Sequence, residues 1–257
     1  MISTVDDDNG EGRLMSSNQL MKYQGAHNYV LNTLGARIAS GELAAYTVVN
    51  LNGLEEEYQV SRTVIREVVR VLESHGMLVS RRRVGITVQP MAKWDLLDQS
   101  VIRWRLDGPG CDQQISELME LRLAVEPVAA RFAAERATDD ERTELVDLAK
   151  TLEELGRQMK GDTREFMDAD IAFHTILIDA SRSLLLMCMV GPITEVISGR
   201  WVHNMLSGTP QAGTLECHVA VAEAVRAGDA AAATMASASL LDIVSKEIGT
   251  AGETGKS

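Results

Sequence analysis

The sequence predicts a mainly α-helical protein, with an N-terminal winged helix-turn-helix followed by an all-helical antiparallel bundle. Three observations carry this expectation. Between Leu54 and Val88 the chain reads as helix, tight turn, second helix, then two short strands joined by an arginine-rich tip. From Trp94 onward apolar residues recur at helical spacing, with no strand-like alternation of useful length. The chain is 45% hydrophobic but only 4% aromatic, so its Ala, Leu and Val favour helices packed through aliphatic side chains. At 257 residues it is long enough for two modest domains with cores of their own.

Residues 1–20 are polar, acidic and glycine-bearing, a composition that predicts a disordered tail. Val30, Leu31, Leu34 and Ile38 mark a first amphipathic helix, closed by Ser40-Gly41. Leu43 to Leu51 reads as a connection. Gln59-Val60-Ser61 sits where a turn belongs, and the Ser61 hydroxyl suits the N-cap of the helix after it. In that helix Ile65, Val68, Val69 and Leu72 form one buried face, while Arg62, Arg66 and Arg70, four apart, line a neighbouring one. Arg81, Arg82 and Arg83 precede Val84-Gly85 at the strand tip, and Pro90 punctuates the end of a domain spanning 21–90. Residues 91–110 read as a linker helix that docks on the second domain, through Trp94, Leu97, Val101, Ile102 and Trp104, and Asp107-Gly-Pro-Gly110 breaks it. The second domain, 111–248, holds helices near 112–136, 139–160, 163–181, 184–206, 211–227 and 229–248. Asp139, Asp162 and Asp229 are the expected caps, with Gly228 ending a helix. Residues 249–257 are expected to be a flexible C-terminus.

A helix with one apolar face and one arginine stripe, preceded by a capped turn, has the features of a DNA major-groove reader. The arginines of the tip add a wing that reaches phosphate or minor groove. Residues 21–90 carry eight Lys/Arg and six Asp/Glu, against 17 and 31 in the rest of the chain. DNA affinity is therefore expected to be confined to this module. A net charge of −12 argues against a general nucleic-acid coat or a binder of anionic membranes. Cys111, Cys188 and Cys217 show no pairing pattern, which points to a reducing cytoplasm. The N-terminus lacks the apolar stretch of a signal peptide, and the longest apolar run, Leu184 to Val190, stops at Gly191-Pro192, too short to span a membrane.

The helix-turn-helix resembles that of the GntR superfamily of transcription regulators. Val60, Ser61, Arg62, Ile65, Arg66, Glu67, Val68, Leu72, Gly76 and Met77 all fit its long core motif. The resemblance implies that Arg62, Thr63 and Arg66 contact operator phosphates and base edges, that Arg82 and Arg83 serve the wing, and that Glu67 is structural. With these, Ser61, Arg70, Arg81 and Gly85 complete the expected DNA-binding set. Where many relatives carry a basic residue near the start of the motif's first helix, this chain has Asn52-Gly53.

In the second domain Asp170 and His174 are four apart, on one helix face, and His218 lies on a later helix. One carboxylate and two imidazoles can hold a borderline divalent ion such as Zn, Ni or Mn. Spacing alone favours unrelated polar residues, because D-x-x-x-H is a frequent pair. The pattern Phe166, Asp170, Phe173, His174, then Glu216, His218 and the close Ala224-Val225 to Gly228-Asp229, is similar to the FCD ligand-binding domain of the FadR-type branch. So are Glu120 to Pro127 and Ala133 to Thr138. That resemblance covers roughly residues 94–247, and within it Trp94 to Leu106, the Glu126-Pro127 helix and Ala233 to Ser239 look most like sugar-acid repressors of the galactonate-operon type. It implies an all-helical dimerising bundle, one divalent ion on Asp170, His174 and His218, and an effector site that includes Arg122, Asp170, His174, His203 and His218. Arg122 would pair with the effector's carboxylate; otherwise it bridges to Glu126 or Glu120 on its own helix. The family's fourth metal ligand falls at Leu240, which cannot coordinate, and His203 is the available substitute. Either waters or an effector oxygen fill the gap, or the polar cluster binds the effector without an ion.

The expected function is a dimeric, effector-responsive transcription regulator, a repressor and not an enzyme, that binds double-stranded operator DNA and a small organic or sugar acid, with no membrane partner. Two alternatives stand beside it: a metal-dependent hydrolase with a DNA-binding appendage, and a regulator for which the ion itself is the signal.

Overall fold

The computed structural model describes residues 4–6, 12–14, 17–83 and 85–254, with side chains over 23–83 and 85–248. The chain divides into two compact units, Met1–Gly110 and Cys111–Ser257.

In the first unit, β1 (Thr4–Asp6) pairs antiparallel with β2 (Gly12–Leu14), and α1 (Ser17–Ala39) starts before the predicted tail ends. These elements begin within the stretch whose composition predicts a disordered tail. The rest of that stretch, Val84 and residues 255–257 lie outside the described residues. The winged module comprises β3 (Val48–Val49), α2 (Leu51–Tyr58), α3 (Arg62–Ser74), β4 (Leu78–Arg81) and β5 (Gly85–Val88), with sheet order β3-β5-β4, antiparallel throughout. Strand β3 stands in the segment read as a connection; two residues are too few to show alternation. Val30, Leu34 and Ile38 of α1 bury against Ile65, Val68 and Leu72 of α3 in one core. Arg37 holds α1 to α2, donating to Glu57 at 2.7 Å and to the Tyr58 hydroxyl at 3.1 Å.

The turn between α2 and α3 passes through Gln59 at φ 52°, and the Ser61 hydroxyl accepts from the Val64 N–H at 3.4 Å. Ser61→Ala should lower stability by about 1 kcal/mol, read as a shift in urea midpoint. An unchanged midpoint would mean that the cap does not hold the start of α3.

Segment 91–110 differs from its expected role. It comprises a 3-10 turn, Met91–Lys93, and α4 (Gln99–Leu106), started by Asp98, whose side chain accepts from the Ser100 and Val101 N–H groups. Val101 and Trp104 belong to the core of the first unit, where docking on the second domain was expected. Two glycines decide this. A Cβ on Gly35 would lie 2.6 Å from the Trp104 ring, so only glycine lets α4 close on α1. Gly76, at φ 71°, would put a Cβ 2.2 Å from the Lys93 carbonyl. Trp104 also donates through Nε1 to Asn32 at 3.1 Å.

The second unit is helical: α5 (Cys111–Arg136), α6 (Asp139–Arg157), α7 (Arg164–Asp179), α8 (Leu184–Met187), α9 (Val190–Val202), α10 (Thr214–Ala227) and α11 (Ala230–Thr254). Helix α11 packs along α5 and α10, α6 against α10 and α7, and α7 against α5 and α9. Small and aliphatic side chains such as Ala133, Leu145, Leu152 and Val221, together with Phe173, fill the core. The expected helix 184–206 is two helices that break at Cys188-Met189, so the apolar stretch Leu184–Val202 is not one continuous rod. Two caps are also threonines rather than aspartates. Thr138 forms a reciprocal capping box with Glu141, and Thr163 accepts from the Phe166 N–H, while Asp139 sits one residue inside its helix, near the positive end of the dipole. Asp229 does cap α11, accepting from the Ala232 N–H. That helix runs to Thr254, into the stretch expected to be flexible.

Candidate functional site

The first unit presents a basic concavity. Helix α3 is strongly two-sided: Val64, Ile65, Val68, Val69 and Leu72 are buried, while Arg62, Arg66 and Arg70 are exposed and Thr63 is half-buried at its start. Arg62, Arg66, Arg70, Arg81 and Gly85 line one hollow together with Leu51, Glu73 and Ser80. Arg82 and Arg83 are exposed at the tip between β4 and β5, with Arg83 at φ 68°. Glu67 pairs with Arg70 one turn away, and Glu55 approaches Arg62 at 4.0 Å. Carboxylates thus hold two of the arginines in place. A contact that sequence reading missed is Glu73, which accepts from the Ser80 N–H at 2.6 Å and fastens the wing strand to α3.

The second unit encloses a polar cavity of about 40 Å³. Arg122 from α5, Asp170 and His174 from α7, Arg200 from α9, Thr214 and His218 from α10, and Leu240 and Glu247 from α11 line it, with Leu206, Ser207, Pro210 and Gln211 from the loop between α9 and α10. Of the sequence-predicted set, Arg122, Asp170, His174 and His218 therefore meet. His203 does not line the cavity; it caps the end of α9. Leu240 does line it, where a fourth ligand would stand, and brings no donor atom.

The two imidazoles are held alike. His218 Nδ1 lies 2.8 Å from the Thr214 carbonyl, and His174 Nδ1 lies 2.6 Å from Glu126 Oε2. Each thus presents Nδ1 to an oxygen and turns Nε2 toward Asp170 Oδ1, at 3.1 Å from His218 and 3.4 Å from His174. The three ligand atoms lie within 4.8 Å of one another. This is the outer-shell arrangement that aims imidazoles at a metal, and so the residues fit a divalent ion with open positions left over. The Nε2 of His174 also accepts from Arg122 Nη2 at 3.0 Å, and that lone pair serves either the guanidinium or an ion.

Arg122 is 2% exposed and bridges to Glu126, itself fully buried, at 2.5 Å. Burial alone would raise the Glu126 carboxyl, but the charges of Arg122 and His174 reverse this and hold it down to about 2. Burial likewise works to raise Asp170, and the neighbouring His174 and His218 keep it well below the usual carboxylate range. Arg200, missed by sequence reading, is 5% exposed and donates to Glu247 at 2.8 Å. The available signal was that it is the only cation in the apolar stretch 184–202.

Comparison with known proteins gives the same division. The gntR family of bacterial regulatory proteins matches residues 28–88, and the FCD domain matches residues 117–242. The Galactonate operon transcriptional repressor of Escherichia coli strain K12 is 30% identical over 217 residues, covering 82% of this chain and 92% of that protein. The Gluconate operon transcriptional repressor of Bacillus licheniformis is 31% identical over 60% of this chain and 55% of that protein. The solved structure of Lar, which controls expression of the Listeria monocytogenes agr system, superposes with a TM-score of 0.55 at 16% identity, covering 87% of this chain and 96% of that one, a likeness of fold.

Proposed function

The chain belongs to the GntR family of bacterial regulatory proteins and is a DNA-binding transcription regulator with an FCD domain, not an enzyme; on that premise we propose that it acts in the cytoplasm as a homodimeric repressor of a sugar-acid operon and releases its operator when the acid enters the cavity. The convergence of Arg122, Asp170, His174 and His218 on one cavity is the observation that carries this reading. The names of the galactonate and gluconate operon repressors support the acid class.

Charge supports a divalent ion. Among the arginines and carboxylates, the guanidiniums of Arg122 and Arg200 stand against the carboxylates of Glu126, Asp170 and Glu247, which leaves one negative charge. An acid entering that field is repelled. A divalent ion on Asp170, His174 and His218 reverses the sign and, when bound, offers a Lewis-acidic position to the acid's oxygens. Arg122 then presents the planar fork that suits a carboxylate. A cavity of about 40 Å³ has room for roughly two or three water-sized occupants. A six-carbon acid is larger than that space, so it binds an arrangement with a wider lining, and by binding that arrangement better it biases the change of state.

Thermal unfolding with gluconate, galactonate and lactate, with and without chelator, tests the reading. Specific binding raises the midpoint with ligand concentration. Acid stabilisation that chelator removes is the expected result; no shift with any acid would sink the proposal. Arg122→Lys should bring the ratio of operator affinities without and with acid close to one, because lysine keeps the charge but loses the fork. An undiminished ratio would place the acid elsewhere.

A further inference from the structure

The polar lining of the cavity continues beyond the Asp170, His174 and His218 cluster. Arg200 and Thr214 both line it and are 5% and 7% exposed. Each keeps one buried polar atom, Arg200 Nε and Thr214 Oγ1, without a hydrogen-bond partner among the described residues. Buried polar atoms are nearly always satisfied, so two orphans on residues that line one cavity point to something that fills the space. Thr214 opens α10, and its carbonyl accepts from His218, which fixes the residue beside the imidazole that faces Asp170.

We propose that Arg200 and Thr214 are a second recognition point that reads hydroxyl groups on the acid, which makes the preferred effector a monocarboxylate bearing several hydroxyls, an aldonic acid, and excludes dicarboxylates. The inference rests on the reading of this cavity as an acid site. The choice of hydroxyl over a second carboxylate comes from Glu247. Arg200 already donates to that carboxylate at 2.8 Å, so its positive charge is matched and the Nε–H is the orphan left to give. A second carboxylate at that point meets an ion pair with no surplus positive charge and with a glutamate close by. A hydroxyl meets no such repulsion, and it can either accept from the Arg200 Nε–H or donate to the Thr214 oxygen, so an acid with several hydroxyls suits both orphans. Charge over the whole cavity agrees. A divalent ion would turn the single negative charge into a single positive one, which one carboxylate neutralises and two overshoot.

A pocket built to hydrogen-bond a hydroxyl discriminates strongly against an analogue that lacks it, because the buried groups then stay unpaired. Titration calorimetry of the zinc-loaded full chain with D-gluconate, L-lactate and D-glucarate tests this. Gluconate should bind about tenfold or more tightly than either of the others. Thr214→Val, which keeps the side-chain shape, and Arg200→Lys, which keeps the charge beside Glu247, should each weaken gluconate about tenfold and change lactate by less than about threefold. Equal losses for both acids would overturn the proposal and leave the two residues as supports of the fold. Glucarate binding as tightly as gluconate would overturn it too. If the unaltered chain binds none of the three acids, the acid-site reading itself fails, and this inference with it.

Discussion

Glu126→Ala should destabilise the second unit by about 3–5 kcal/mol, the cost of breaking a buried ion pair from one side. The substitution strands the Arg122 guanidinium, 2% exposed, without its partner at 2.5 Å, and removes the carboxylate 2.6 Å from His174 Nδ1. Urea unfolding of the metal-free chain measures the loss, and Glu126→Gln, which keeps an acceptor, should lose less. A loss below about 1 kcal/mol for the alanine variant would mean that Arg122 finds another partner and that the buried network is not held by Glu126. The pH dependence has a definite sign. Glu126 is held down to about 2, below its ordinary value of 4.5, so its contribution is fully present above the ordinary value and is lost as pH falls toward about 2. The unaltered chain should therefore lose stability through that acid window, and the alanine variant should lose less of it. Parallel acid curves for the two would contradict the assignment.

Arg66→Ala should weaken binding to a duplex selected from random sequence by about 1–3 kcal/mol, roughly 5- to 150-fold, if Arg66 makes a bidentate base contact. Arg66 is exposed at the centre of the α3 stripe and lines the hollow that Arg62, Arg70 and Arg81 share. The loss should be concentrated on the selected sequence. Arg82→Ala, at the wing tip, should instead weaken all duplexes alike and reduce the slope of affinity against salt by about one counterion. Unchanged affinity of the Arg66 variant for the selected duplex would show that α3 is not the reading helix.

Much of the first unit could be read from the chain because its determinants are local. Ser61, the apolar set from Ile65 to Leu72 and the arginine spacing all lie within one helix and its cap, and the structure keeps each in its expected place. Gly76 was legible only as a motif position; the reason for it, the close approach of the Lys93 carbonyl, lies 17 residues on. Misplaced caps at Asp139 and Asp162 came from choosing between adjacent polar residues, a choice that side-chain geometry makes and composition does not. The two-residue strand β3 was invisible because it pairs with β5 and has no pattern of its own. In the cavity, Asp170 and His174 were readable as a helical pair and His218 through its motif. Arg200 and Glu247 were not, since nothing in the sequence links residues 47 apart on different helices.

The sequence by itself determined the mainly helical class and the capped helix α3 with its arginine stripe, because periodicity and capping act over a few turns of chain, while its resemblance to a family singled out Asp170, His174 and His218. Only the tertiary structure decided that His203 does not line the cavity, that α4 folds onto α1 through Gly35, and that Arg200 and Thr214 line the cavity with Arg122. Those outcomes depend on how helices pack within each unit, and close packing between distant segments selects which side chains meet without leaving a trace in local spacing.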